Sequence, residues 1–267
     1  MQFIRHFLLA LQYFTRIPMS EAIARWVGFN PTMQQASLAH FPGVGCLIGA
    51  LAGLTFYGAT TLLPETAATP WVAACVSTIV SVMVTGAFHE DGLADMSDGL
   101  GGMVTRQRAL EIMKDSRIGS YGAVALILAL VTKLGLLTAL GQIDVVLAAW
   151  SLFAAHVFSR MMSLLMTVFL RNVGDDSTTK TKPLANQTPL RTFGIACLWL
   201  LLADSLFISQ HSPSVLICAS CCSAIAWFFM FRLLSRRLDG FTGDALGATQ
   251  QICELAFYLG LLLGVGR

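Results

Sequence analysis

The sequence predicts an all-α, polytopic transmembrane helix bundle of about seven spans with an N-terminal interfacial helix, forming a single integral membrane domain over residues 1–267. Three observations predict it. The chain is 55% hydrophobic and only 12% charged, about half the roughly 25% charged share of soluble domains, and its mean hydropathy is +0.70. Windows of about 20 apolar residues, the length that crosses a hydrocarbon core of about 30 Å, recur from end to end. The basic residues fall in every second loop between those windows.

The N-terminal MQFIRHFLLALQYFTRIPMS (1–20) has a short apolar stretch with no small-residue cleavage site after it, so it reads as an interfacial helix rather than a signal peptide. Spans follow at about 40–63, 70–90, 119–140, 144–170, 190–210, 213–234 and 242–264. Arg5, Arg16 and Arg25 precede the first span; Arg106, Arg108, Lys114 and Arg117 follow the second; Arg171, Lys180, Lys182 and Arg191 follow the fourth; Arg232, Arg236 and Arg237 follow the sixth. The intervening loops, 64–70, 141–144 and 210–213, carry no Lys or Arg. The positive-inside rule puts the basic loops in the cytoplasm and Arg267 outside. The seven cysteines lie within apolar runs and read as small packing residues; the CASCC cluster (218–222) lacks the partners a thiolate metal site needs. GVGCLIGALAG (43–53) allows close helix packing, within one protomer or in a homo-oligomer.

The second span ends in FHEDGLADMSD (88–98), which concentrates His89, Glu90, Asp91, Asp95 and Asp98. On a helix Asp91, Asp95 and Asp98 stand at i, i+4 and i+7 and share one face. Three like charges so placed repel unless a cation sits among them or their pKa values rise. Hard oxygen ligands without cysteine suit Mg²⁺, Mn²⁺ or Ca²⁺, and Mg²⁺ commonly takes one or two carboxylates plus substrate phosphates. The plainer alternative is a solvated helix end at the membrane surface.

RQRALEIMKDSRIGSYG (106–122) then sets Asp115 beside Lys114 and Arg117. Carboxylate ligands next to cations are what a diphosphate requires, and Gly119 and Gly122 permit close backbone approach to a phosphate. In the last span Asp244 and Glu254 are expensive in an apolar helix. Asp244 is level with the first cluster and can complete it; Glu254 lies deeper and can pair with Lys133 or Arg160. The loop 173–187 offers Asp175, Asp176, Ser177, Lys180 and Lys182, either as a solvated loop or as nucleotide contacts. His89 can be a base, a metal ligand or a hydrogen-bonding cap.

HEDGLADMSDGLGG (89–102) resembles the H-x-D-G-L-A-D-x-x-D-G signature of the cobalamin synthase family, the adenosylcobinamide-GDP ribazoletransferases. FTRIP (14–18), FPGVGCLIG (41–49), EIMKDSRIGSYG (111–122), DDSTTKTKPLA (175–185) and TGDALGA (242–248) extend the resemblance, in order, over nearly the whole chain. It implies a bacterial inner-membrane enzyme with its active site toward the cytoplasm, which joins α-ribazole or its 5′-phosphate to adenosylcobinamide-GDP and releases GMP with Mg²⁺. In that reaction Asp91, Asp95 and Asp98 hold the metal, with Asp244 or Asp115 as a further ligand. Lys114 and Arg117 hold the diphosphate, and Lys180, Lys182 and Asp176 contact the nucleotide. Asp91, another carboxylate or His89 accepts the hydroxyl proton. Membrane lipid is an expected partner and nucleic acid is not. Two competing readings are a CDP-alcohol phosphotransferase, which needs Arg where Asp95 stands, and a cation or proton transporter, which needs its carboxylates near the bilayer centre.

Overall fold

In the computed structural model the described residues are 1–174 and 190–265, with 190 and 191 described by backbone alone. Among them twelve α-helices run in order: α1 (Gln2–Phe14), α2 (Glu21–Val27), α3 (Pro31–Ser37), α4 (Phe41–Leu62), α5 (Thr69–Thr85), α6 (Phe88–Gly101), α7 (Arg106–Met113), α8 (Ser120–Ile143), α9 (Val145–Phe169), α10 (Leu190–Ile208), α11 (Pro213–Arg237) and α12 (Gly243–Val265). Among the described residues the only extended pairing is one bridge, Asn172 to Phe241. The fold is therefore all-α and multi-pass, as the composition requires.

Helices stand at all seven expected span positions. Among the described residues five stretches are long and apolar enough to cross a bilayer: Pro31–Leu62, which takes in α3, a short 3-10 turn and α4, then α8, α9, α11 and α12. A sixth is the pair α5 and α6 taken together, and Thr192–Ile208 of α10 is shorter. The expected second span over 70–90 is corrected. Helix α5 stops at Thr85, and α6 leaves it at 87°.

The core forms where small residues let backbones meet. Gly45, Gly49 and Gly53 line one face of α4 at a spacing of four, and a Cβ added at Gly49 would lie 2.8 Å from the Phe153 Cα on α9. The glycine-rich run thus packs within the chain. Phe56, Leu137, Leu140, Leu152 and Phe257 fill the space behind it, all fully buried.

The loops sort by charge to opposite ends of the bundle. At one end Gln142 Nε2 donates to the Ala67 carbonyl at 3.4 Å, joining two of the loops that lack Lys and Arg. At the other, Arg237 Nη2 at the end of α11 donates to the Gly102 carbonyl at 2.9 Å, and Arg171 pairs with Asp239.

Between the ends lies a buried polar network. Glu254 receives Lys133 Nζ at 2.7 Å, Gln250 Nε2 at 2.6 Å and the Tyr258 hydroxyl at 3.0 Å. His156 Nδ1 stands 3.6 Å from the oxygen that Gln250 meets. Arg160 Nη1 is 3.0 Å from His156 Nδ1, and its guanidinium lies 5.5 Å from the Phe41 ring centre. The Glu254–Lys133 pairing expected from the sequence is present. The expected alternative partner, Arg160, acts on Glu254 only through space.

Candidate functional site

The site begins at the bend. Gly86 and Ala87 both adopt left-handed backbone, φ 69° and 59°, a conformation glycine takes freely and alanine at a cost of about 1 kcal/mol. Ala87 N–H closes on the Val82 carbonyl at 2.9 Å and Gly86 N–H on Met83 at 3.2 Å, the bonding of a helix that ends in a left-handed cap. Arg16 braces the corner, its N–H donating to the Val84 carbonyl at 2.7 Å. The bend turns α6 across the basic end of the bundle, with Asp91 exposed and Asp95 and Asp98 half-buried.

Helix α12 delivers the fourth carboxylate. Gly92 of α6 crosses α12 so closely that a Cβ there would lie 2.7 Å from the Asp244 carbonyl oxygen, and Gly247 faces His89 and Gly92 from the other side. Two absent side chains bring Asp244 into the array. Asp91, Asp244 and Asp98 all act electrostatically on Asp95, and Asp91 acts on Asp244. Tyr13 of α1 also feels Asp244, and burial together with that charge pushes its hydroxyl up to about 12.

Asp98 has a second task. Its two oxygens accept the backbone N–H of Gly119 at 2.7 Å and of Gly122 at 2.8 Å, so it caps the open N-terminus of α8, where the helix dipole favours a negative charge. The glycines expected to approach a phosphate meet this carboxylate instead.

Asp115 and Arg117 pair with each other at 2.6 Å in the loop before α8. The Arg117 guanidinium and backbone N–H hold the Asp115 carboxyl at about 2. The pair lines a recess of about 250 Å³ with Asp98, Arg108 and Glu111. Lys114 lies on the other side of α7, between an opening of about 610 Å³ and a more enclosed cleft of about 210 Å³. Asp176, Lys180 and Lys182 lie outside the described residues.

The 210 Å³ cleft runs from Lys114 and Asp244 inward to His89, with Tyr13, Phe14, Phe41 and Phe88 in its walls. His89 is buried and stacks on Phe41, with ring centres 5.9 Å apart and planes 11° apart. Its Nε2 has no hydrogen-bond partner in the described structure. Glu90, its neighbour, turns away and accepts from Gln251 Nε2 at 3.0 Å.

Sequence reasoning did not single out the aromatic walls, Glu90 as a tie to α12, or Gln250 and Gln251. The only available signal was that FTRIP and FPGVG begin at two of the wall residues, Phe14 and Phe41.

Among the described residues no three His, Cys, Asp or Glu side chains converge closely enough to hold an ion unaided. The donor set instead fits a hard cation that arrives with phosphate oxygens. Asp91 is exposed, Asp95 and Asp244 are nearby, and Mg²⁺ commonly needs only one or two carboxylates when a phosphate supplies the rest.

The profile of the cobalamin-5-phosphate synthase family matches residues 6–262. Similar curated proteins carry the name adenosylcobinamide-GDP ribazoletransferase. One from Albidiferax ferrireducens is 50% identical, covering 99% of both chains. One from Polaromonas naphthalenivorans is 47% identical over 99% of this chain and 100% of its own. One from Leptothrix cholodnii is 42% identical over 98% and 96%. No solved structure matches.

Proposed function

The chain belongs to the cobalamin-5-phosphate synthase family and is a transferase, and from that premise we propose that it joins α-ribazole, or its 5′-phosphate, to adenosylcobinamide-GDP and releases GMP. The observation that carries the reading is the gathering of Asp91, Asp95, Asp98 and Asp244 at the basic end of the bundle, beside a cleft that Lys114 and Asp244 share. Asp91, Asp95 and Asp244 are the residues that would hold Mg²⁺. Bound there with the diphosphate, the ion supplies charge neutralisation and a template for the phosphoryl group.

The ribose hydroxyl oxygen of ribazole bonds to the cobinamide-side phosphorus, and the bond from that phosphorus to the oxygen of GMP breaks. Phosphoryl transfer needs little covalent help from protein; position and electrostatics dominate. A carboxylate of the array that the ion does not engage takes the hydroxyl proton. Lys114 at the cleft rim faces the diphosphate and stabilises charge on the departing GMP, and Arg117, paired with Asp115 on the other side of α7, adds positive potential from the recess beside Asp98. Asp98 holds the start of α8 and keeps the array in register. The positive-inside rule faces this end toward the cytoplasm of an inner-membrane protein.

The test is turnover. Membranes holding the protein or its Asp91→Asn variant are incubated with adenosylcobinamide-GDP, α-ribazole 5′-phosphate and Mg²⁺, with an EDTA control. GMP and cobalamin phosphate are then separated by chromatography. Product from the parent alone, abolished by EDTA, is expected; equal product from both proteins removes the carboxylate assignment, and no product from the inserted parent removes the reaction.

A further inference from the structure

We propose that the 210 Å³ cleft is the seat of the flat aromatic base of the ribazole acceptor, with the Phe41–His89 stack as its floor and Tyr13 and Phe88 as its lip. The assignment rests on the reaction proposed above and names which substrate occupies which part of the site.

The cleft suits a bicyclic aromatic ring. Phe14 lies 4.2 Å from Phe41 and 4.9 Å from Tyr13, ring centre to centre, and Phe88 lies 6.2 Å from Phe14 and 5.5 Å from His89. Contacts at these spacings make one continuous aromatic lining. At about 210 Å³ the cleft falls below the roughly 300 Å³ at which drug-sized pockets begin, which excludes a corrin ring.

Polarity separates ribazole from guanine. A benzimidazole attached to ribose through one nitrogen keeps a single ring nitrogen as acceptor, and the rest of its edge is apolar. The cleft offers a matching demand, because His89 is 2% exposed and its Nε2 lacks a partner. In the Nε2–H tautomer the imidazole donates one bond to one acceptor. Guanine would bring several donors and acceptors into a mostly apolar cleft, and each one left unpaired is costly. Orientation agrees, since a base seated against His89 leaves its ribose toward Asp244 at the cleft boundary.

The experiment uses the full chain in lipid nanodiscs, with α-ribazole fluorescence as the binding readout and steady-state kinetics for both substrates. Leu110→Trp, on the short helix α7 where Leu110 packs at the edge of the core, fills the cleft and is used only if its unfolding temperature matches the parent, and Phe88→Leu removes one wall. Each variant is expected to weaken α-ribazole binding and raise its KM about tenfold, the scale of one lost base-aromatic contact, with KM for adenosylcobinamide-GDP unchanged. Excess GMP should not displace α-ribazole. Displacement by GMP, or a KM change confined to adenosylcobinamide-GDP, would overturn the seat while leaving the reaction intact. Parent protein that binds α-ribazole in a Leu110→Trp-sensitive way yet makes no product would overturn the reaction and keep the seat. Absence of any α-ribazole binding by the parent overturns the seat.

Discussion

Glu254 and Asp244 sit on the same helix, α12, about 15 Å apart along its axis, in opposite surroundings. Glu254 is wholly buried and is met by Lys133, Gln250, Tyr258 and His156. Asp244 is half-buried among other carboxylates. Glu90 and Asp91 repeat the contrast on α6, where Glu90 joins the inner network through Gln251 and its neighbour faces outward, exposed. A charge with its partner built in has a settled structural role. A set of like charges is strained until something positive arrives, and that is why the proposed reaction is placed at the outer set. The transporter reading fails the same comparison, because the carboxylate nearest the middle of the bundle is already engaged.

If the outer set is chemical, Asp91→Asn should remove activity without harming the fold. Loss of one preorganised charge at the reacting phosphoryl group should cost about 10²–10³ in turnover or more, measured by GMP release, with an unchanged unfolding temperature. If the inner set is structural, Glu254→Gln should do the reverse. Leaving Lys133 buried without its carboxylate should cost about 3–5 kcal/mol, read from unfolding in detergent. The Glu254→Leu, Lys133→Met double variant should be more stable than either single change.

A third test strikes where the two regions share a backbone contact. Gly92→Ala drives a methyl toward the Asp244 carbonyl and pushes α6 from α12. Overpacking of this kind costs about 1–3 kcal/mol and should lower turnover as well, because the array separates. The smallest effect belongs to Asp98, which works in both modes. Asp98→Asn keeps one acceptor oxygen for Gly119 or Gly122 and should cost about 1 kcal/mol, seen as faster hydrogen exchange at the first turn of α8.

The outer array was legible because its period matches a helix: positions 91, 95 and 98 share a face wherever the helix lies. Glu254 and Lys133 were legible because charges are so rare in this chain that each apolar span with one demands a partner. The right-angle turn was hidden, since an apolar run of 70–88 reads as one continuous span and two consecutive left-handed residues, Gly86 and Ala87, decide otherwise. The capping role of Asp98 was not legible, because the backbone groups it accepts from lie 21 and 24 residues on. The aromatic cleft draws on α1, α4 and α6, and its rings look like ordinary core in any one of them.

The crossing of α6 and α12 sets an order on biogenesis. The ribosome delivers the acidic helix before the middle of the chain and the helix that completes it last. Until Gly243–Val265 enters the bilayer, Glu90 has no Gln251 and the array has no Asp244. A nascent chain therefore emerges with its acidic end unassembled, and a truncation before residue 243 removes Asp244 and Gln251 together, the two groups of α12 that meet α6 there.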